Sequence, residues 1–359
     1  MSKIVTIVGA RPQFIKAAMV SRVLREKVEE VLIHTGQHYD HNMSQLFFDE
    51  MNIPIPEYNL GISGGSHAEM TGKMMISIES ILQKEKPDGV LVYGDTNSTL
   101  AGALAAAKLY IPVFHVEAGT RTHCDTNPEE INRICTDHIS KKLYACTEEN
   151  MMELCKEGLA DRSLLTGDLM YDAFVEYSEY QSVENIEFLS LYGGKVKIDS
   201  DYYYLTCHRE ENTHDDANLL GILRTLNELD AITIYPVHPR NKERAIKLCQ
   251  TNSLNRIALI EPVGYLESLA LVKGCHAVVT DSGGLQREAF FAKKKCVTVL
   301  DFPVWTETMI GERNSLVHPV KDEIVAALNK VQIIDDDYLP FGNGDAKSII
   351  VNSILNSFN

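Results

Sequence analysis

Three carboxylates in the first half of the chain have positions suited to proton transfer. Asp95 follows the apolar run GVLVYG, Glu117 ends the run VFHVE, and Glu129 opens a predicted helix after Pro128. The carboxyl ends of parallel strands meet at one edge of a sheet, so these side chains are expected to converge. Like charges in a partly desolvated site raise one another's pKa values, which suits removal and return of a proton. The alternative interpretations are a helix N-cap for Asp95 and a surface salt bridge with Arg133 for Glu129.

Several basic groups are placed to balance those carboxylates and to hold an anionic ligand. Arg11 follows the first predicted strand, Lys16 lies one turn into the next helix, and Arg133 lies four residues after Glu129. The positive end of the helix dipole repels a cation at the start of a helix. This unfavourable interaction favours a functional role for Arg11 and Lys16 over a structural one. His208 ends a strand in the second half of the chain, where it either donates to a phosphate or sugar hydroxyl or has a structural role.

The segment TDSGGLQREAFF suggests an anion site at the start of another helix. An apolar run precedes the segment, and Ser282, Gly283 and Gly284 stand where the helix begins. The first backbone N–H groups of a helix have no partner within it, and together with the helix dipole they attract phosphate. The alternative interpretation is a strand-to-helix turn that needs glycine for its backbone angles. Ser282 lacks the G-x-S-x-G pattern of a nucleophilic serine.

Patterns for metal and dinucleotide binding are weak. His34, His38 and His41 have loose metal-like spacing, but no adjacent cysteine or E-x-x-H segment completes a site, so no metal is predicted. The first predicted strand is followed by GARP, which differs from the G-x-G-x-x-G pattern of dinucleotide-binding enzymes.

The composition is typical of a globular enzyme. Of 359 residues, 34 are Lys or Arg and 50 are Asp or Glu, which gives a formal net charge of −16. Such a surface repels nucleic acid and anionic membranes, so neither is an expected partner. The eight cysteines occur singly, and apolar runs stay shorter than a membrane span, so a cytoplasmic protein with reduced thiols is expected.

Apolar, β-branched runs alternate with longer segments of helical period along the whole chain. This alternation predicts an α/β fold with two Rossmann-like, doubly wound domains that bind a ligand in the cleft between them. A turn at Gly167-Asp168 suggests the domain boundary, so the predicted domains are residues 1–168 and 169–345. The final helix-like run, residues 346–359, is expected to return to the first domain.

Eight segments, taken together and in order, closely resemble the non-hydrolysing UDP-N-acetylglucosamine 2-epimerases. They are GARPQFIKAA, TGQHYD, YGDTNSTLAGALAAA, HVEAGTRT, PEEINR, TCHREEN, YPVHPRN and TDSGGLQREA. The resemblance runs from residue 5 to about residue 320. It implies the GT-B arrangement of two Rossmann-like domains, a UDP-sugar substrate, no cofactor, no essential metal and a homodimer.

The resemblance also implies a mechanism and a role for each matching residue. UDP is eliminated to leave a 2-acetamidoglucal, which rotates and takes UDP back with C2 inverted. The implied catalytic residues are Asp95, Glu117, Glu129 and His208. The implied substrate-binding residues are Arg11, Lys16, Arg133, Ser282, Gly283, Gly284 and Glu288, of which Glu288 would bind the ribose hydroxyls. The sequence leaves open which carboxylate removes the C2 proton.

Some segments depart from the family pattern. The usual T-E-R-P-E segment reads PVWTE here, with Trp305 in place of the arginine. Of the residues that bind an activating second UDP-sugar in some members, the matches are Gln37, His38, Arg209 and His238. The segments GARPQFIKAA and YGDTNSTLAGALAAAKL are closer to the branch that epimerises UDP-2,3-diacetamido-2,3-dideoxyglucuronic acid, which is the alternative substrate. A GT-B glycosyltransferase, a hydrolysing 2-epimerase and a non-catalytic nucleotide-sugar sensor also remain compatible with the sequence.

Overall fold

The apolar runs form two parallel β-sheets, one in each of two compact units. The computed structural model describes residues 2–37, 50–51, 53–124, 126–198 and 201–358. The first unit comprises Met1–Val175 and Leu339–Asn359, and the second comprises Glu176–Tyr338. None of the described helices combines the length and the apolar character needed to cross a membrane.

The first sheet is built from short, mostly buried strands. They are β1 (Lys3–Val8), β2 (Glu29–His34), β3 (Tyr58–Asn59), β4 (Gly89–Tyr93), β5 (Val113–Ala118), β6 (Lys142–Ala145) and β7 (Ser163–Leu165). All neighbours are parallel, in the order β3-β2-β1-β4-β5-β6-β7. The direction of winding reverses between β1 and β4, and ligands of doubly wound folds bind at the carboxyl ends of the strands at such a point.

The helices of this part of the chain follow the strands. They are α1 (Arg11–Leu24), α2 (His67–Glu85), α3 (Asn97–Lys108), α4 (Pro128–Ile139), α5 (Glu148–Lys156) and α6 (Leu169–Tyr177), with a short 3-10 helix at Ala160–Arg162. The small residues of α3 let it lie close to the sheet, since a Cβ on Gly102 would come 2.6 Å from Ile7 Cδ1. At the amino end of α3, Thr99 Oγ1 donates to the Tyr93 carbonyl at 2.6 Å, which places this end beside the end of β4.

The second sheet repeats the same winding. An antiparallel pair, β8 (Phe188–Leu189) and β9 (Lys195–Val196), precedes it. Its strands are β10 (Tyr202–Thr206), β11 (Ile232–Pro236), β12 (Ile257–Ile260), β13 (Ala277–Thr280), β14 (Lys295–Val299) and β15 (Asn314–Val317). The six strands are parallel in the order β12-β11-β10-β13-β14-β15. Its switch point lies between β10 and β13, which are followed by His208 and by Ser282.

The remaining helices cover the second sheet and end the chain. They are α7 (Glu210–Thr213), α8 (Asp216–Asn227), α9 (Lys242–Thr251), α10 (Tyr265–Gly274), α11 (Gly283–Phe291), α12 (Lys321–Asn329) and α13 (Ala346–Asn356), with 3-10 helices at Val183–Asn185, Pro239–Asn241 and Thr306–Glu312. Helix α13 belongs to the first unit and contacts α1.

The division of the chain differs from the predicted boundaries at residues 168 and 345. The first unit extends to Val175, inside helix α6, and the chain rejoins it at Leu339. The Asp168 N–H donates to the Phe341 carbonyl at 2.9 Å, so the predicted linker turn is bonded within the first unit. Asp172 accepts the N–H groups of Ala346 (3.1 Å) and Lys347 (2.8 Å), which caps α13.

Candidate active site

Gln13 joins the two loops at the switch point of the first sheet. Its Oε1 accepts the N–H groups of Gly9 (2.7 Å) and Ala10 (3.1 Å), which follow β1. Its Nε2 donates to the Tyr93 carbonyl (2.7 Å) and to Thr96 Oγ1 (3.0 Å), at the end of β4. A buried amide therefore fixes the loop before Arg11 and the loop that carries Asp95.

Lys16 and Glu117 form a buried ion pair at this edge of the sheet. Lys16 Nζ lies 2.5 Å from Glu117 Oε2, and the two side chains are 3% and 10% exposed. Both side chains lie close to Gly94, where a Cβ would come 3.6 Å from Glu117 Oε1 and 3.8 Å from Lys16 Nζ. A carboxylate accepts a proton in its ionised form, and an adjacent ammonium stabilises that form.

Glu117 has a strained backbone. Its φ is +66°, a left-handed value that residues other than glycine adopt uncommonly. The pairing of β5 with β6 shifts register between Val116 and Ala118, which makes Glu117 the bulged residue. Bulges re-aim side chains, and strain of this kind concentrates at functional sites.

Arg133 lies among three carboxylates. Its Nη2 is 2.5 Å from Asp95 Oδ2 and 3.8 Å from Glu129 Oε2, and its Nη1 donates to Glu130 Oε2 at 2.9 Å. Burial opposes the charge of the guanidinium, but the carboxylates of Asp95, Glu129 and Glu130 outweigh burial and raise the pKa of Arg133. The sequence-predicted residues Asp95, Glu129 and Arg133 are therefore neighbours.

The two glutamates at the start of α4 have different environments. Glu130 is buried and accepts the N–H groups of Thr122 and His123, each at 3.0 Å. Burial favours its neutral form, but these backbone hydrogen bonds and Arg133 lower the pKa of Glu130. The Glu129 side chain is 44% exposed, so it is accessible to a ligand. Sequence reasoning missed Glu130, because adjacent acids on a helix give no signal of which one is buried.

In the second unit, His208 is oriented by a buried aspartate. His208 Nδ1 lies 3.1 Å from Asp281 Oδ1, and the His208 and Arg209 N–H groups donate to Asp281 Oδ2, each at 2.9 Å. Burial alone raises the pKa of Asp281, but His208 and these backbone groups outweigh it and lower the pKa to about 2. The His208 side chain is 42% exposed. The carboxylate therefore fixes one ring nitrogen and leaves the other to meet a ligand.

Helix α11 begins at the segment predicted to bind an anion. Ser282 is its N-cap and accepts the Leu285 N–H at 3.4 Å, while Gly283 and Gly284 form its first turn. Neither glycine has a positive φ. A Cβ would make ordinary contacts of 3.4 Å at Gly283 and 3.6 Å at Gly284. Backbone angles and packing therefore do not require glycine at either position, and the anion site at this helix terminus stays a prediction.

Trp305 and Glu288 are both buried beside this helix. Trp305 is 2% exposed, its ring lies 4.1 Å from the Arg287 guanidinium carbon, and its indole nitrogen would lie 3.5 Å from a Cβ on Gly283. It is a packing residue at the base of the predicted anion site. Glu288 lies on α11 and is 5% exposed, so any ligand that reaches its carboxylate must enter a confined space.

Comparison with known proteins decides the family. The family model for UDP-N-acetylglucosamine 2-epimerase matches residues 22–355. The chain belongs to this 2-epimerase family. A UDP-N-acetylglucosamine 2-epimerase homolog of Methanococcus maripaludis is 45% identical over 359 residues, with 99% of both chains covered. The UDP-2,3-diacetamido-2,3-dideoxy-D-glucuronate 2-epimerase of Pseudomonas aeruginosa is 43% identical over 362 residues, covering 97% of this chain and 98% of the relative.

Solved structures of 2-epimerases share the fold. The Methanocaldococcus jannaschii UDP-GlcNAc 2-epimerase, in complex with UDP-GlcNAc and UDP, matches with a TM-score of 0.87 at 39% identity, and 99% of each chain is covered. The predicted family and the α/β fold with two doubly wound parallel sheets of GT-B type are confirmed. The 2-epimerases are isomerases, so the predicted enzyme class is confirmed as well.

The residues that resemble an activator site of the 2-epimerases are distributed over both units. Gln37 Oε1 accepts from Ser98 Oγ at 2.6 Å in the first unit. In the second unit, Arg209 Nε donates to the Asp281 carbonyl at 3.0 Å, and His238 accepts the Arg240 N–H at 3.3 Å. His38 lies outside the described residues. The assignment of these four residues to a possible activator site stays a prediction, and the sequence leaves activation itself open.

A group of possible metal ligands lies among the described residues of this 2-epimerase. Donor atoms of Glu117, Cys146 and Asp168, all buried, lie within 4.8 Å of one another. Lys16 Nζ is 2.5 Å from Glu117, so an ammonium already supplies positive charge there. Asp168 Oδ1 accepts the Met170 N–H at 2.9 Å, as the cap of α6. The residues fit an internal polar cluster better than a metal site.

Proposed function

We propose that the protein interconverts UDP-N-acetylglucosamine and UDP-N-acetylmannosamine without hydrolysis. The observation that carries the proposal is the pairing of Asp95 with Arg133 and of Glu117 with Lys16 at the switch point of the first sheet. These pairs occur in a chain that is 42% identical to the UDP-N-acetylglucosamine 2-epimerase of Methanocaldococcus jannaschii. Carboxylates balanced by cations suit proton transfer at a carbon atom.

The proposed reaction has two steps that balance in atoms and charge. A carboxylate takes the C2 proton, the C2–H electrons form a C1=C2 double bond, and UDP leaves with the C1–O electron pair. After the 2-acetamidoglucal rotates, a proton returns to the other face of C2 while UDP adds back to C1. Oxidation state is unchanged overall, so the reaction needs no nicotinamide cofactor.

Each unit has its own part in this proposal. The first unit supplies Asp95, Glu117 and Glu129 for proton transfer, with Lys16 and Arg133 as their paired cations and Arg11, at the start of α1, as a further cation for the ligand. In the second unit, the start of α11 binds the diphosphate through Ser282, Gly283 and Gly284. The Glu288 carboxylate accepts hydrogen bonds from the ribose hydroxyls. His208, which is oriented by Asp281, donates a hydrogen bond to the departing phosphate.

UDP-2,3-diacetamido-2,3-dideoxyglucuronic acid is the second candidate substrate. The Pseudomonas aeruginosa 2-epimerase for that sugar is 43% identical, close to the identity of the relatives that act on UDP-N-acetylglucosamine. The uridine and diphosphate are common to both substrates, so the site in the second unit serves either one. The substituents at C3 and C5 distinguish the two sugars.

Incubation of the purified protein with each UDP-sugar in D2O tests the proposal. Proton NMR should show the C2 epimer and loss of the C2 proton signal with one of the two substrates. Phosphorus NMR follows UDP at the same time. Free UDP without a UDP-linked epimer indicates a hydrolysing enzyme, and no change with either sugar supports a glycosyltransferase or a nucleotide-sugar sensor instead.

We also propose that the protein is a cytoplasmic homodimer, as the family resemblance implies. The singly spaced cysteines suit a reducing compartment. Light scattering after size-exclusion chromatography gives the mass in solution. A mass near 80 kDa, about twice the 40.2 kDa of one chain, supports the dimer, and a mass of one chain contradicts it.

A further inference from the structure

A buried histidine–aspartate pair lies behind the proposed acid/base residues. His115, on β5, and Asp137, on α4, are both fully buried. His115 Nδ1 lies 2.7 Å from Asp137 Oδ1, and His115 Nε2 lies 2.7 Å from the Gly94 carbonyl. A carbonyl oxygen can only accept, so Nε2 donates to Gly94. The pair therefore holds the backbone immediately before Asp95.

Asp137 also binds the segment on the other side of Glu117. Its Oδ2 accepts the Gly119 N–H at 3.1 Å and lies 2.7 Å from Arg121 Nη2. Burial opposes the charge of Asp137, but His115 and Arg121 outweigh burial and lower its pKa, so the carboxylate is ionised. One carboxylate thus binds residues 115 and 119, the two ends of a segment centred on Glu117.

The backbone of Glu117 needs the constraint that Asp137 provides. Glu117 is the bulged residue of β5 with φ +66°, and a strained conformation of this kind persists only where its surroundings enforce it. Gly119 is equally confined, because a Cβ there would come 2.4 Å from the Asn150 carbonyl. The hydrogen bonds of Asp137 to both ends of the segment supply the constraint.

The same aspartate is connected to all three proposed acid/base residues. Through His115 it reaches Gly94, next to Asp95, and through Gly119 it reaches the segment of Glu117. Asp137 itself lies on α4, two turns after Glu129 and one turn after Arg133. The ends of β4 and β5 and the helix α4 therefore meet at this buried pair.

We propose that His115 and Asp137 are positioning residues that hold Glu117 and Asp95 in the geometry needed for proton transfer at C2. This inference rests on the proposed 2-epimerase reaction. Both side chains are fully buried, so neither is expected to touch the substrate. Their loss should therefore slow the chemical step while leaving substrate affinity largely intact, because the groups assigned to the diphosphate and the ribose, at the start of α11 and at Glu288, lie in the second unit. Misplacement of a reacting group by about 1 Å costs on the order of 100-fold in rate.

The test compares Asp137→Ala with a matched control, Asp172→Ala. Asp172 is equally buried and also binds the backbone, through the N–H groups of Ala346 and Lys347, but it caps the last helix. Both variants should lose thermal stability. Only Asp137→Ala should lower kcat and the rate of C2 deuterium exchange, by on the order of 100-fold, with little change in KM. Asp137→Asn, which keeps an acceptor for Gly119, should recover part of kcat.

His115→Phe is the second variant, since it keeps a buried ring and removes both hydrogen bonds. It should lower kcat in the same way, and its combination with Asp137→Ala should be less than additive. A kcat equal to that of the wild type in folded Asp137→Ala or His115→Phe overturns the positioning inference and leaves the proposed function intact. A wild-type protein without epimerisation or C2 exchange overturns the proposed function itself.

Discussion

At the scale of single residues, the site consists of carboxylates whose partners differ. Asp95 and Glu129 both pair with Arg133, at 2.5 and 3.8 Å, Glu117 pairs with Lys16, and Glu129 is the more exposed partner of Arg133. The positions of Asp95 and Glu117 after or within apolar runs were sufficient to predict where they lie, because parallel strands bring their carboxyl ends to one edge of a sheet. Asp281 follows a buried strand as Asp95 does, so the same signal could have identified it.

Replacing each proposed acid/base carboxylate by its amide tests its role. Asp95→Asn, Glu117→Gln and Glu129→Gln should each lower kcat at least about 100-fold, because an amide cannot exchange a proton with C2 or the phosphate. UDP should still bind, since the groups assigned to UDP lie in the second unit. Steady-state kinetics and calorimetry of UDP binding measure the two effects.

The control for these variants is Glu187→Gln. Glu187 pairs with Lys195 on the surface, and both side chains are largely exposed. It should retain the kinetics of the wild type. Wild-type rates in all three amide variants of the first unit would show that these carboxylates do not catalyse the reaction.

Sequence reasoning did not identify the residues that position other residues. Gln13 and Asp137 lie inside helices, where a polar residue on the buried side looks the same as one on the solvent side. Their roles depend on contacts with strands far along the chain, such as Gln13 with Tyr93 and Asp137 with His115. Only the fold brings those partners together.

At the scale of elements, the local pattern at the start of α11 predicts both a helix terminus, which the structure has, and a phosphate site, which stays a prediction. The order strand, Ser-Gly-Gly, helix predicts a phosphate site because helix N-termini offer unpaired N–H groups. In the structure, neither Gly283 nor Gly284 has a positive φ, and a Cβ at either position would make only ordinary contacts. Close approach of the diphosphate is the explanation that we propose for the two glycines.

Gly283→Ala and Gly284→Ala test this explanation. The protein has room for either Cβ, and alanine favours a helix by up to about 1 kcal/mol over glycine, so stability should be equal or higher. UDP affinity should fall about tenfold or more, because the methyl group occupies space that the diphosphate approaches. Thermal unfolding and calorimetry measure the two quantities.

Gly72→Ala, within α2, is the matched control because a Cβ there meets nothing within 4 Å. It should stabilise the helix without changing UDP affinity. Unchanged UDP affinity in both α11 variants would refute the phosphate site at this helix.

At the scale of the whole molecule, the two sheets and their winding followed from the alternation of apolar runs and helical segments. The exact division of the chain into two units did not follow from this alternation. The boundary falls between Val175 and Glu176, inside the continuous helix α6, where the sequence has no break to mark it. The turn at Gly167-Asp168 has the composition of a linker, but its backbone is bonded to Phe341.

Acid should destabilise the second unit through Asp281. The pKa of this carboxyl is about 2 in the folded protein, below its usual 3.8. The ionised carboxylate contributes about 2 kcal/mol to the free energy of unfolding. This contribution is present above pH 4 and is lost as the pH falls from about 4 to about 2. Trp305, the sole tryptophan, is buried in this unit, so its fluorescence reports the unfolding.

Denaturant titrations at pH 7, pH 4 and pH 3 measure this loss. In Asp281→Asn, which cannot ionise, the free energy of unfolding should be lower at pH 7 and should change less between pH 4 and pH 3. The same pH dependence in Asp281→Asn and in the wild type would assign the acid sensitivity to other groups.

Hydrogen exchange at C2 tests the central claim most directly. The purified wild-type protein is incubated with UDP-N-acetylglucosamine in D2O and followed by proton NMR. The elimination mechanism predicts that the C2 proton signal disappears while the signals of UDP-N-acetylmannosamine grow in with deuterium at C2. If neither this sugar nor UDP-2,3-diacetamido-2,3-dideoxyglucuronic acid gains deuterium at C2, the 2-epimerase assignment is wrong.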